Sequence, residues 1–125
     1  MVKKIKYQAV EQLPVWQKAH SLTLQVYKAS KNFPKSEMYG LTNQVRRSSS
    51  SIGANISEGF SRRSTKELIQ FLYNARGSSA ETLYHLRLSK DLNYLEDKTY
   101  RELVSGYEEV GKQLNGWISS LRRRL

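Results

Sequence analysis

The sequence predicts an all-α fold, an antiparallel up-down-up-down four-helix bundle. Four segments carry apolar residues at spacings of three and four, which is the period of an α-helix. Only 2 prolines occur in 125 residues, and such scarcity suits long helices. The breaks between the segments are short, so consecutive helices should run antiparallel. We expect a single domain over residues 1–125, with residues 1–12 as a basic N-terminal arm.

The first two helices are bounded by prolines and a serine. Pro14 suits a first helical position, where its missing N–H has no cost. This helix is expected to end at about Lys31, because a residue before proline leaves the α region and Phe33-Pro34 follows. Ser36 is expected to cap the second helix, which fades near Phe60. The predicted apolar seams are Trp16, Ala19, Leu22, Thr23, Val26 and Tyr27, then Leu41, Val45, Ser48, Ile52 and Ile56.

The last two helices carry start signals of their own. The segment from Ser64 to Glu67 fits a capping box ahead of an apolar run, and this helix should continue to about Lys90. Asp97 is expected to cap the fourth helix, whose heptad spacing lasts for nearly three repeats. Gly111 and Gly116 interrupt that helix at about 1 kcal/mol each, so tertiary packing should offset them. The predicted seams are Leu68, Leu72, Ala75, Ser79, Leu83 and Leu86, then Leu103, Tyr107, Val110, Leu114, Trp117 and Leu121.

The chain is strongly basic, with 21 Lys and Arg against 11 Asp and Glu and a formal net charge of +10. Residues 1–63 hold eleven basic and three acidic residues, and three arginines stand near the C-terminus. A basic excess of this size favours polyanionic partners, above all nucleic acid. Cysteine is absent, which excludes disulfides and thiolate metal sites. Because the sequence shows neither a secretory signal nor a membrane-spanning apolar run, we expect a cytoplasmic protein with no membrane partner.

Most of the basic side chains should meet at one end of the bundle. In an up-down-up-down order, the start of the first helix, the turn between the second and third helices and the end of the fourth helix share one pole. Two further arginines lie about four turns away along the second helix. Summed positive potential at the pole favours phosphate groups. The candidate nucleic-acid-binding residues are Lys3, Lys4, Lys6, Arg46, Arg47, Arg62, Arg63, Lys66, Arg122, Arg123 and Arg124.

The most unusual stretch lies in the second helix, where four consecutive serines are followed closely by Gly53 and Ala54. Small residues that form helices only moderately well are kept where a neighbouring backbone comes close, so close packing is our first interpretation. Beside the apolar stripe runs a polar row that is either an internal hydrogen-bond network or a functional surface. The row is Gln44, Arg47, Ser51, Asn55, Glu58 and Arg62, and its last two members can form an ion pair because they are four residues apart. The structural polar motif is Gln44, Arg47, Ser51, Asn55, Glu58 and Gly59.

No catalytic or metal site is expected. A serine nucleophile needs an adjacent base, but the two histidines, His20 and His85, belong to other predicted helices. The stretch from Gly106 to Lys112 imitates a phosphate-binding loop, but Gln113 stands where Ser or Thr would hold magnesium. No paired-carboxylate or Glu-x-x-His pattern indicates a dimetal site. We therefore expect no enzymatic activity, no metal and no cofactor.

Five blocks of sequence resemble one family: Leu13–Ala19, Phe33–Pro34, Gly40–Arg47, Ser51–Phe60 and Ala75–Glu81. Over about residues 11–121 the chain is similar to the bacterial 23S rRNA-intervening-sequence proteins, named after genes found in insertions of large-subunit ribosomal RNA genes. The resemblance implies a four-helix up-down bundle that assembles as a ring-like homopentamer. It also implies a likeness in fold to the accessory protein of diversity-generating retroelements, which binds nucleic acid and a reverse transcriptase. The polar motif matches residues of the family for which no catalytic duty is implied.

Two functions stay open. The first is a non-catalytic, oligomeric protein that binds nucleic acid, RNA rather than DNA, through the basic pole. The second is a protein-interaction scaffold that docks a partner such as a reverse transcriptase. Its contact surface would be marked by exposed aromatic residues, namely Tyr7, Tyr39, Tyr73 and Tyr84. A homo-oligomer is also expected because four apolar residues fall outside the predicted seams: Val15, Ile69, Tyr73 and Leu88.

Overall fold

The computed structural model describes residues 8–125 and confirms the predicted four-helix bundle. Each helix packs against two neighbours, so that the first is diagonal to the third and the second is diagonal to the fourth. Short 3₁₀ turns, Val10–Gln12 and Lys35–Glu37, precede the first and second helices. The helices are α1 (Pro14–Ser30), α2 (Leu41–Phe60), α3 (Thr65–Asp91) and α4 (Asp97–Arg122).

Hydrogen bonds between α1 and α2 show that these helices run antiparallel. The Trp16 indole Nε1 donates to the Ser57 hydroxyl at 3.0 Å. Further along α1, the Thr23 hydroxyl donates to the Ser49 carbonyl at 3.1 Å. The later residue of α1, Thr23, thus bonds to the earlier residue of α2, Ser49, and the earlier residue of α1, Trp16, bonds to the later residue of α2, Ser57. The start of α1 therefore lies beside the end of α2, as the up-down order requires.

The start of α2 differs from the sequence prediction. The helix begins at Leu41 rather than just after Ser36, which belongs to the separate 3₁₀ turn. Glu37 caps the helix: its carboxylate accepts a hydrogen bond from the Leu41 amide at 3.0 Å and another from the Tyr94 hydroxyl at 3.0 Å. The cap of α2 is therefore Glu37, four residues before Leu41, and the prediction that Ser36 would cap this helix was wrong.

The starts of α3 and α4 are closer to expectation. The Ser64 hydroxyl accepts from the Glu67 amide at 3.3 Å, which confirms the predicted cap of α3. In α4, Asp97 is the first helical residue rather than the cap, and Glu96 precedes it without a side-chain cap. The break between the two helices contains Asn93 at φ 65°, a left-handed conformation that asparagine tolerates.

The buried face of each helix corrects three of the four predicted seams. The seam of α2 is confirmed. In the other three seams Tyr27 is 41% exposed, and the partly buried residues are Trp16, Thr23, Leu68, Leu83 and Trp117. The sequence prediction placed the largest apolar side chains in the seams. Burial instead depends on which face of a helix packs against a neighbouring helix, and large side chains can cover the margins of that face while staying partly exposed. The buried residues are Val15, Ala19, Leu22, Val26 and Ser30 in α1, Ile69, Leu72, Ala75, Ser79, Thr82, Leu86 and Ser89 in α3, and Leu103, Gly106, Tyr107, Val110, Leu114, Ile118 and Leu121 in α4.

The four apolar residues that sequence placed outside the seams do not form a free apolar face. Val15 and Ile69 are each only 6% exposed and belong to the core. Tyr73 and Leu88 are half-buried and pack against that core. The sequence argument for a homo-oligomer therefore loses its basis, because these residues are used within the bundle.

Small hydroxyl residues line the contact between α2 and α3, so the close-packing interpretation holds for Ser48 and Ser51, whereas Ser50 and Ala54 of the same stretch are exposed. The Thr82 hydroxyl donates to the Ser48 hydroxyl at 2.8 Å, and the Ser78 hydroxyl donates to the Ser51 hydroxyl at 3.0 Å. Both Ser48 and Thr82 are buried. Buried hydroxyl groups need partners, and here two helices supply them to each other.

Tyr107 places a phenol in the centre of the bundle, where it is fully buried. Within the described residues its hydroxyl has no hydrogen-bond partner. The neighbouring Thr23 hydroxyl shares its one proton between the carbonyls of Ala19 and Ser49, at 2.9 and 3.1 Å, and the Ser49 hydroxyl donates to the Arg46 carbonyl at 3.1 Å. Burial raises the pKa of Tyr107 above its ordinary value.

Candidate nucleic-acid interface

The start of α1, the α2–α3 turn and the end of α4 lie at one end of the bundle, which we call the basic pole. Here the Arg122 guanidinium, at the end of α4, donates a hydrogen bond to the Tyr73 hydroxyl of α3 at 2.7 Å. Lys66 and Arg122 line one shallow cavity of about 310 Å³ at this end. The exposed basic residues of the pole are Arg62, Arg63, Lys66, Arg122, Arg123 and Arg124.

The remaining predicted residues lie elsewhere. Lys3, Lys4 and Lys6 fall outside the described residues. Arg47 is exposed on α2, away from the pole. Arg46, which we expected to face a ligand, is half-buried: its Nε donates to the Ser30 hydroxyl at 2.7 Å and its guanidinium lies 4.8 Å from the centre of the Tyr27 ring. Arg46 therefore joins α2 to the end of α1.

A cleft between α3 and α4 adds an arginine that the sequence did not single out. The Arg76 guanidinium lies over the Tyr73 ring, 4.8 Å from its centre, and donates to the Asn115 amide oxygen at 2.9 Å. Arg76 and Tyr73 are three residues apart on one helix, but their α4 partners come from a distant part of the sequence. The cleft has a volume of about 510 Å³ and is lined by Tyr73, Arg76, Asn115, Ile118, Ser119, Arg122 and Arg123.

Ion pairing divides the basic residues into compensated and free ones. Arg62 pairs with Glu58, as predicted from their spacing. On other parts of the described chain, Arg87 pairs with Asp91, and Asp97 pairs with both Lys90 and Arg101. Within residues 8–125, no carboxylate forms an ion pair with the basic residues around the α3–α4 cleft, Lys66, Arg76, Arg122 and Arg123. Their charge is therefore available to an anion.

The polar motif of α2 divides into an internal and an external part. The Asn55 amide donates to the Ser51 hydroxyl at 3.0 Å, and that hydroxyl also meets α3 through Ser78. Gln44, Arg47 and Glu58 are exposed or half-exposed, so the row is not one continuous buried network. Gly59 is buried against α3. Only the inner residues of the motif therefore hold the helices together.

A second surface feature is an apolar groove between α1 and α2, with a volume of about 360 Å³. The Trp16 and His20 rings stack along it with their centres 4.8 Å apart, and Leu24 is 58% exposed. Small side chains of α2 form its floor. Outside the groove, Tyr39 is 95% exposed and Tyr84 is 62% exposed, whereas Tyr7 falls outside the described residues.

Three of the four consecutive serines of α2 are hydrogen-bonded within their own helix. Ser48, Ser49 and Ser50 each donate to a backbone carbonyl of α2. The stretch that imitates a phosphate-binding loop lies inside α4, so it forms no loop. Among residues 8–125 there is no group of three or more His, Asp or Glu side chains able to hold a metal ion. No helix in this part of the chain is long and apolar enough to cross a membrane.

Comparison with known proteins identifies the family. Residues 11–116 match the family of 23S rRNA-intervening sequence proteins. The chain is also similar to the crystal structure of a protein with unknown function from the S23 ribosomal protein family of Bacteroides thetaiotaomicron. The two are 28% identical with a TM-score of 0.75, over 83% of this chain and 97% of that chain. None of the curated protein sequences matches the chain. Since the family match covers most of its length, the chain belongs to the 23S rRNA-intervening sequence proteins.

Proposed function

We propose that this chain is a non-catalytic nucleic-acid-binding protein that acts in the cytoplasm through its basic pole, with RNA as the favoured ligand. The observation that carries the proposal is the group of cations around the α3–α4 cleft, which have no carboxylate partner within the described residues. Phosphate contacts should dominate, so binding should show weak sequence preference and steep salt dependence.

The test is the affinity for a labelled structured RNA at about 50 mM and about 200 mM salt. Replacing Arg122, Arg123 and Arg124 with Gln should weaken binding and lower the log–log salt slope by about 0.7–0.9 for each phosphate group that the variant no longer binds. A second variant with Gln at Lys3, Lys4 and Lys6 tests the N-terminal arm in the same way.

The matched control removes three positive charges at the opposite end of the bundle, from Lys28, Lys31 and Lys35, which are exposed and form no ion pair within residues 8–125. It changes the net charge equally but leaves the basic pole intact, so its affinity should fall much less than that of the pole variants. Equal losses in both would show that only net charge matters, and absence of binding at low salt would refute the proposal.

The proposal includes a homo-oligomer, for which the family resemblance implies a ring-like pentamer. A ring would repeat the basic pole on one face and so strengthen binding to a long polyanion. Light scattering should give a multiple of the chain mass of 14.5 kDa. A mass of one chain at working concentrations would contradict this part of the proposal.

The α1–α2 groove supports a second candidate function, a scaffold that docks a protein partner such as a reverse transcriptase. Leu24→Asp should then abolish capture of a partner that persists after nuclease treatment, because a charge in the groove opposes apolar docking. Leu92→Asp, at a residue 44% exposed near the end of α3, is the matched control and should leave capture unchanged. Loss of capture on nuclease treatment would favour the nucleic-acid proposal instead.

A further inference from the structure

The Tyr73 ring and the Arg76 guanidinium form an ordered stack on the surface of the α3–α4 cleft. Arg122 fixes the phenol from the α4 side through the 2.7 Å hydrogen bond to its hydroxyl. Arg76 is held twice, by the ring beneath it and by Asn115. Arginine side chains on a surface usually lose rotamer entropy when they bind, and these interactions remove much of that loss in advance. The stack is therefore prepared for a ligand.

The stack also has unused binding capacity. Arginine carries five N–H donors, and the hydrogen bonds of the described residues use one donor of Arg76 and one of Arg122. Arg76 is exposed, so its guanidinium can be reached by a planar group. Arg123 and Ser119 stand along the same cleft. The site thus combines a flat cation with further phosphate-binding donors beside it.

The volume and composition of the cleft fit one nucleotide. At about 510 Å³ it lies within the range of about 300–1,000 Å³ found for small-molecule sites. Guanidinium planes stack on unpaired bases of single-stranded nucleic acid, and arginine binds phosphate through two parallel donors. A base inside a duplex has both faces covered by its neighbours, so it cannot reach this guanidinium.

We propose that the α3–α4 cleft binds one unpaired nucleotide of a single-stranded nucleic acid, with its base stacked on Arg76 and its phosphate held by Arg122 and Arg123. This inference rests on the proposed function and adds to it the class of strand and the role of each arginine. Asn115 holds Arg76 in place and so acts as a positioning residue.

The test uses Arg76→Lys, which keeps the charge and removes the planar guanidinium. The probes are a labelled single-stranded oligonucleotide, an abasic strand of the same length and a blunt-ended duplex without a loop. The variant should bind the single strand about tenfold more weakly, equivalent to about 1.4 kcal/mol. Its affinity for the blunt-ended duplex and for the abasic strand should stay within about twofold, since neither offers an unpaired base to stack there. Arg101→Lys on the opposite end is the control, with no expected change on any probe.

Each alternative result has its own meaning. Equal loss on the single strand and the duplex, or an undiminished loss on the abasic strand, would show that the Arg76 guanidinium contributes through hydrogen bonds to the backbone rather than by stacking, and would overturn the stacking inference. Unchanged binding of the single strand by Arg76→Lys would overturn it too, while the proposed function would stand. If the unmodified protein bound none of the three probes at low salt, the proposed function itself would fail. Far-UV circular dichroism confirms that each variant is folded.

Discussion

Gly59 closes the contact between the end of α2 and the start of α3, and we predict that it tolerates no side chain. A Cβ at this position would lie 2.8 Å from the Phe71 Cβ and 3.1 Å from the Leu68 Cδ1. Carbon atoms in favourable contact are about 3.5–4.0 Å apart. The Phe71 Cβ is attached to the backbone and cannot rotate away, so α2 and α3 would have to separate by roughly half an ångström or more.

The size of the effect follows from two opposing contributions. Overpacking of this kind typically costs about 1–3 kcal/mol. Alanine gains at most about 1 kcal/mol in helix propensity over glycine, and less here because Gly59 lies in the last turn of α2. We therefore expect Gly59→Ala to lower the free energy of unfolding by about 1–2 kcal/mol. For a chain of this length, that corresponds to a fall in Tm of about 4–8 °C.

Thermal unfolding followed by far-UV circular dichroism measures the change, with Gly116→Ala as the control. Gly116 is exposed and a Cβ there meets nothing within 4 Å, so no contact offsets its propensity cost, contrary to the sequence expectation. The same holds for Gly111. Gly116→Ala should raise stability by about 0.5–1 kcal/mol. A neutral or stabilising Gly59→Ala beside a stabilising Gly116→Ala would refute the close-contact argument.

Two further predictions concern buried hydroxyl groups. Tyr107→Phe removes a buried hydroxyl without a partner among the described residues and should leave the free energy of unfolding unchanged or raise it by up to about 1 kcal/mol in urea at neutral pH, whereas a marked loss would show that the hydroxyl is bonded. Above pH about 10 Tyr107 ionises in the unfolded chain, while its raised pKa keeps it protonated in the folded protein. The free energy of unfolding of the wild type should therefore fall by up to about 1.4 kcal/mol per pH unit relative to that of Tyr107→Phe. Parallel plots of this free energy against pH for the two proteins would contradict the prediction. Thr82→Val removes the hydrogen bond to Ser48 and should lower the free energy of unfolding by about 1–2 kcal/mol in the same assay. The control Ser50→Ala, at an exposed hydroxyl, should change it by less than about 0.5 kcal/mol. Similar losses in the two variants would argue against a buried hydrogen-bond network between α2 and α3.

The sequence by itself determined the helical class, the number of helices and their antiparallel order. These properties depend on local signals: apolar spacing, the proline at the start of α1 and the serine cap of α3. The basic pole also followed, because the order of helices fixes which ends meet. The pairing of Glu58 with Arg62 was also predictable from their spacing of four, although α2 ends at Phe60 and Arg62 reaches Glu58 from just beyond the helix.

Only the tertiary structure decided which charges are free and which small residues are buried. Arg46 is held by α1 and Arg76 stands on Tyr73 beside α4, although both are plain helical arginines in the sequence. Asn115 lies 39 residues from Arg76, and no periodicity relates positions on two helices that far apart. Thr82 is likewise polar by hydropathy yet buried, because Ser48 of α2 accepts its hydrogen bond. Local sequence patterns determine where the helices begin and end. Contacts with residues from distant segments determine how exposed each side chain is and how much it contributes to the free energy of folding.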